Sequence, residues 1–185
     1  MGELAHTNGV PMASCDVFIS HSTSDAAVAR ATCEALEAAG IRCWIAPRDI
    51  SPGQTWSGAI VEGIDACRVF VLVLSTRANE SQEVLREVEL ASRNRKPLLT
   101  VRVENVAPTG GISYFLSATQ WLDAFPPPLH PRLGALVTAT QHLLGLEVQP
   151  PPPPPADEPF VEVDLDDFGR SRGRRSMFNR LFEDR

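Results

Sequence analysis

The chain has 185 residues, 43% of them hydrophobic and 22% charged, with 17 basic against 23 acidic side chains and a net charge of −6. This composition supports one sizeable core and no second one. The acidic balance excludes a general nucleic-acid binder, whose affinity comes from Lys and Arg, and no run of about eighteen apolar residues exists to form a transmembrane segment. Proline divides the chain: of 16 in all, six form one run, Pro150 to Pro155, which cannot lie inside a packed domain.

Residues 1–13 are polar and irregular and lack the basic and apolar regions of a secretory leader, so a disordered N-terminus and a cytoplasmic location are expected. The four cysteines, Cys15, Cys33, Cys43 and Cys67, form no Cys-x-x-Cys pair. They read as small buried hydrophobes in a reducing compartment, with no metal site.

A domain over residues 14–146 reads as alternating strands and helices. Cys15–Ser20 is a short β-rich run. Ser24 and Asp25 offer helix N-cap chemistry, and Val28, Thr32, Leu36 and Ala39 recur at helical spacing until Gly40 stops the helix. Arg42–Ala46 is a second strand, followed by a loop from Pro47 to Gln54. Trp56, Ile60, Ile64 and Cys67 mark the inner face of a second helix. Val69–Leu74 is apolar at every position, as a parallel strand covered by helices on both faces would be. Val84, Leu85, Val88 and Ala91 give a third helix, and Leu98–Val103 a fourth strand. Residues 104–117 read as irregular, Thr119–Leu122 as a short fifth strand, and Pro131–Leu144 as a last helix with Leu133, Leu136, Val137, Thr140 and Leu144 inward.

This alternation predicts an α/β domain: a flavodoxin-like, doubly wound, parallel five-stranded sheet in the order 2-1-3-4-5. Ligands of such sheets bind beyond the carboxyl ends of the strands, where the order reverses. Those ends are Ser20-His21-Ser22 and Ser75-Thr76-Arg77. A phosphate-cradling Walker loop, a G-x-G-x-x-G fingerprint, the acidic cluster of a phospho-acceptor receiver and a G-x-S-x-G elbow are all missing there.

Four segments in order carry a resemblance: D-V-F-I-S-H-S (Asp16–Ser22), C-W-I-A-P-R-D-I-x-P-G (Cys43–Gly53), F-V-L-V-L-S (Phe70–Ser75) and S-x-x-V-L-R-E-V-E-x-A (Ser81–Ala91). Together with W-L-D-A (Trp121–Ala124) they resemble the Toll/interleukin-1 receptor (TIR) domain family, its bacterial branch in particular. The resemblance implies the fold derived above and one of two functions. One is cleavage of the nicotinamide–ribose bond of NAD+ to ADP-ribose or a cyclised product, activated by TIR–TIR assembly, in bacterial defence signalling. The other is a non-enzymatic adaptor or host-signalling mimic acting by protein–protein interaction. NAD+ enters as substrate, and no cofactor is implied.

Laid on the family's S-x-W-x-x-x-E-[LIV] pattern, Glu87 matches the catalytic carboxylate, which would stabilise an oxocarbenium-like ribose. Glu83 stands where relatives often carry an aromatic. By itself the pair is also what a solvated, acidic first turn of a helix looks like. The resemblance further places His21, Ser22, Trp44, Ser75 and Glu83 around the substrate. Alternatively, Trp44 is a core aromatic, and His21 and Ser22 are helix-entry residues. Arg48, Asp49, Ile50, Pro52 and Gly53 fall in the family's signature loop, which lines the cleft and docks the next TIR domain; Arg48 and Asp49 also suit a mutual ion pair.

Residues 147–160 form a Pro-rich linker, whose six-proline run would span roughly 19 Å as polyproline II. Residues 161–185 form a charged, largely disordered tail. Met177, Phe178, Leu181 and Phe182 share one helical face there, a motif expected to dock on a partner protein, on the TIR domain or on an anionic membrane surface.

Overall fold

The computed structural model describes residues 15–116, 121–126 and 129–146; the N-terminal segment, the linker and the tail motif at Met177, Phe178, Leu181 and Phe182 lie outside the described residues. Five strands, β1 (Val17–Ser20), β2 (Cys43–Ile45), β3 (Val69–Leu74), β4 (Leu98–Arg102) and β5 (Trp121–Asp123), form one sheet in the order β2-β1-β3-β4-β5. Every pairing is parallel. The helices are α1 (Ala26–Ala38), preceded by a 3-10 turn at Thr23–Asp25, α2 (Trp56–Ala66), α3 (Thr76–Glu80), α4 (Gln82–Arg93), α5 (Gly110–Leu116) and α6 (His130–Leu144).

The period of two along β3 splits the core into two layers. Val69, Val71 and Val73 face α1 and α6, packing with Ala29, Cys33, Leu36, Leu133 and Leu136. Phe70, Leu72 and Leu74 face α2, α4 and α5, packing with Ile64, Val84, Val88, Ile112 and Leu116. All six side chains of β3 are buried, as its unbroken apolar run predicts. The expected inner face of α6 is buried at Leu133, Leu136, Thr140 and Leu144.

Four expectations need correction. The first concerns the cap of α1. Neither Ser24 nor Asp25 caps it with a side chain; the Asp25 carboxylate is occupied elsewhere, as described below. The second concerns α2: Ile64 and Cys67 are buried and Ile60 packs against the same core, as expected, but Trp56 is 56% exposed. The buried face runs instead through Ala59 and Gly63, where a Cβ would lie 2.9 Å from Trp44. The third is α3, which was not expected; five residues are too few to show a period. Ser75 caps α3 through its hydroxyl and Ser81 caps α4, and the extended backbone of Ser81 separates the two helices. The fourth is α5, which forms in the stretch read as irregular.

The edge strand is fastened by the W-L-D-A motif. Arg102 on β4 donates to Asp123 at 2.7 Å and 2.9 Å, and its guanidinium lies over the rings of Trp121 and Phe125. At the opposite end of the sheet, Arg42 donates to Asp16 from both its backbone and its side chain, which holds the Asp16 carboxyl below its usual range.

Candidate active-site cleft

A cavity of about 370 Å³ opens at the carboxyl end of β1. Its walls come from four places. The end of β1 and the start of α1 supply Phe18, Ile19, His21, Ser22, Thr23 and Ala26. Ala46 and Pro47 enter from the loop after β2, Trp56 and Ile60 from α2, and Ser81, Glu83 and Glu87 from α4. This is the switch point of the sheet, where β1 is flanked by β2 and β3 and the chain leaves in opposite directions.

Glu87 is the chemically distinctive wall residue. It sits on the second turn of α4, three residues after buried Val84 and next to buried Val88, so the helix that packs against the sheet carries its carboxylate to the cavity. Ser20, the last residue of β1 and fully buried, donates its hydroxyl to Glu87 Oε2 at 2.6 Å. Desolvation pushes the Glu87 pKa up from 4.5 to about 7, against the stabilising Ser20 hydrogen bond and with a smaller repulsion from Glu83. Glu83 lies one turn earlier, exposed, also on the wall. His21 is desolvated, which lowers its pKa below 6.5 and keeps the imidazole neutral at pH 7.

Ser22 and Ser75 do not offer free hydroxyls. Both donate to Asp25 Oδ2, each at 2.6 Å, tying the ends of β1 and β3 to the start of α1. Ser22 still lines the cavity, whereas Ser75 is fully buried behind it and also accepts from Ala78 N. Trp44 is a core aromatic: it is 4% exposed, stacks on Phe18 at 4.8 Å and is not on the cavity wall. The substrate-contact expectation for Ser75 and Trp44 is therefore corrected. Of the two, Ser75 shapes the cleft through Asp25 and Trp44 through Phe18.

The loop after β2 is fixed to its own domain. Asp49 accepts from Ile45 N at 2.8 Å and pairs with Arg48, whose guanidinium also donates to Cys43 O and pairs with Glu37. The mutual ion pair is thus formed within one chain. Ile50 packs against the α2-side core, and Gly53 has φ +89, a left-handed turn that suits glycine after Pro52.

Sequence reasoning missed Ser20 and Trp56. Ser20 carried a signal, a polar residue closing an apolar strand at the switch point. The spacing of Trp56 to Ile60 predicts an inward ring. As the first residue of α2 it lies before the helix has packed, and its ring stays at the cleft.

The TIR domain family profile matches residues 17–132. A stimulator of interferon genes protein from Magallana gigas is 30% identical over 120 residues, 62% of this chain and 26% of that protein. The structure of a metazoan TIR-STING receptor from C. gigas in complex with 2',3'-cGAMP superposes with TM-score 0.57 and 23% identity, over 67% of this chain and 38% of that one. The TIR domain of the Toll-related receptor TRR-2 from Hydra magnipapillata superposes with TM-score 0.56 and 19% identity, over 68% of this chain and 96% of that domain. The chain thus spans about a quarter of the curated relative it matches.

Proposed function

Because the chain belongs to the TIR domain family, we propose that it cleaves the nicotinamide–ribose bond of NAD+, with Glu87 as the catalytic carboxylate and TIR–TIR assembly as the activating step. The observation that carries this reading is a carboxylate desolvated on the wall of the switch-point cavity and anchored there by a buried serine. The cavity volume, about 370 Å³, is at the small end of ligand pockets. It suits the ribosyl-nicotinamide half of a dinucleotide, with the remainder over the open rim.

The chemistry follows from charge. Nicotinamide in NAD+ is a pyridinium and leaves as a neutral molecule, so no general acid is required. As the C–N bond breaks, its positive charge passes to the ribose ring. A carboxylate in a water-poor cavity stabilises that charge more than it would in bulk water. Water then attacks the anomeric carbon, giving ADP-ribose, nicotinamide and one proton. In the free protein Glu87 is half protonated near pH 7. The cationic pyridinium beside it favours the ionised form, so binding prepares the catalyst. Neutral His21 adds no repulsion to a cationic substrate.

The aromatic that Glu83 displaces from α4 has a counterpart across the cleft. Trp56, exposed on the wall, offers its ring as a stacking surface.

The test is nicotinamide release from NAD+ by the concentrated full chain, wild type against Glu87→Ala. Loss of at least about 100-fold in Glu87→Ala is expected. No release by wild type at any protein concentration would make the chain a non-enzymatic assembly module. Release that persists in Glu87→Ala would remove the residue assignment.

A further inference from the structure

Outside the cavity wall, α1 and β2 bring together two thiols and a carboxylate. Cys33 and Glu37 are four residues apart on α1 and so share a face. Cys43 opens β2 beside them. The two Sγ atoms and the nearest Glu37 oxygen all lie within 4.8 Å of one another, and among the described residues no other such triad of Cys, His, Asp or Glu occurs. From these atoms we propose that Cys33, Glu37 and Cys43 form a binding site for a thiophilic divalent cation of the zinc type.

The geometry is close to what such an ion needs. Zn–S bonds of about 2.3 Å and Zn–O bonds of about 2.0–2.2 Å in a tetrahedron set ligand atoms roughly 3.5–3.8 Å apart. Small rotamer adjustments bring the three atoms to that spacing. Both thiols are buried, Cys33 at 2% and Cys43 at 9% exposure, so a bound ion is screened from the bulk. The Glu37 side chain is 39% exposed and provides the way in, with the fourth position left to water. Soft thiolates select zinc over the hard cations, which prefer all-oxygen sites.

The triad already attends to a cation. Arg48 Nη1 lies 3.2 Å from Cys33 Sγ and 2.9 Å from Glu37 Oε1. The same guanidinium has further acceptors at Cys43 O and Asp49. An entering metal can therefore take Glu37 while Arg48 stays on its loop-side partners. Two thiolates and one carboxylate around a divalent ion carry one net negative charge, and the neighbouring guanidinium offsets it.

The site is read with Co²⁺ as the probe. The full chain, reduced and kept free of oxygen, is titrated with cobalt alone and then with competing Zn²⁺. One equivalent should give thiolate-to-cobalt charge-transfer absorption in the near ultraviolet, which zinc then abolishes. Cys33→Ser and Cys43→Ser should each remove the band, while the Cys15→Ser/Cys67→Ser double variant keeps it. Glu37→Gln, at an exposed position that tests binding even if the cysteine variants unfold, should weaken cobalt binding at least about tenfold. Absence of the band in wild type, its survival in Cys33→Ser/Cys43→Ser, or unchanged affinity in Glu37→Gln would each overturn the proposal.

Discussion

Glu87 links function to stability through one proton. In the folded chain its carboxyl holds a proton up to about pH 7, whereas an ordinary glutamate releases it near 4.5. Between those values the folded state binds more protons than the unfolded one, so Glu87 costs stability as pH rises through that window. The full cost, roughly 3 kcal/mol, is present above pH 7 and absent below 4.5. Glu87→Gln keeps an acceptor for Ser20 and removes the charge. It should raise the thermal midpoint at pH 8 and leave it unchanged at pH 4, as read by calorimetry. If Glu87 serves NAD+ cleavage as proposed, the same proton sets the pH profile. kcat/KM for nicotinamide release should rise with pH through a limb near 7. Ser20→Ala removes a hydrogen bond to the charged form and should move that limb up, while Glu83→Gln removes a repulsion and should move it down. Limbs that stay in place in both variants would detach the limb from Glu87. Trp56→Ala tests the stacking surface: KM should rise roughly 2- to 10-fold with kcat less affected, and an unchanged KM would leave the ring outside the substrate site.

At the scale of elements, the cleft depends on contacts that never reach it. Trp44 packs over Gly63 and on Phe18, and Phe18 stacks in turn on Phe70 at 5.5 Å. This column sets the spacing between α2 and the sheet, and hence between the Trp56 and Glu87 walls. Gly63→Ala places a methyl carbon 2.9 Å from the indole and 3.2 Å from Phe18. It should destabilise the fold by about 1–3 kcal/mol, measured by urea unfolding, and a neutral result would show that α2 shifts freely. Asp25 has a parallel role. By accepting from Ser22 and Ser75 it joins the segment after β1, the cap of α3 and the start of α1 at one carboxylate oxygen, which gives the serines just beyond β1 and β3 a structural role.

At the scale of the whole molecule, the signature loop is held within its own domain by Arg48 and Asp49 and lies between the cleft and the Cys33–Glu37–Cys43 triad. Its Ala46 and Pro47 form part of the cavity wall. Contacts made by this loop in an assembly would therefore act directly on the cleft. Assembly-dependent activity predicts that tenfold dilution lowers the rate by much more than tenfold, followed by NAD+ consumption alongside light scattering. Strict proportionality to concentration would show that single domains are sufficient.

The sequence by itself determined the sheet. A run that is apolar at every position, β3, admits only a strand covered on both faces, and the alternation around it leaves few parallel topologies. It also determined the family and the candidate carboxylate, because those rest on local motifs in order. Short elements escaped it: α3 is held by its capping Ser75 and α5 by the packing of Ile112 and Leu116, rather than by a period long enough to read. So did everything that depends on distance in space. Ser20 and Glu87 are 67 residues apart and meet at 2.6 Å because β1 and α4 pack together. Cys33 and Cys43 lack any metal-binding spacing, yet a helix and a neighbouring strand bring them together with Glu37. Trp44 and Trp56 exchanged roles, one to the core and one to the cleft, because only the packed position of Gly63 decides which ring α2 covers. Periodicity fixes which face of an element is apolar. Which polar atoms then meet across the fold depends on the packing of elements far apart in the chain.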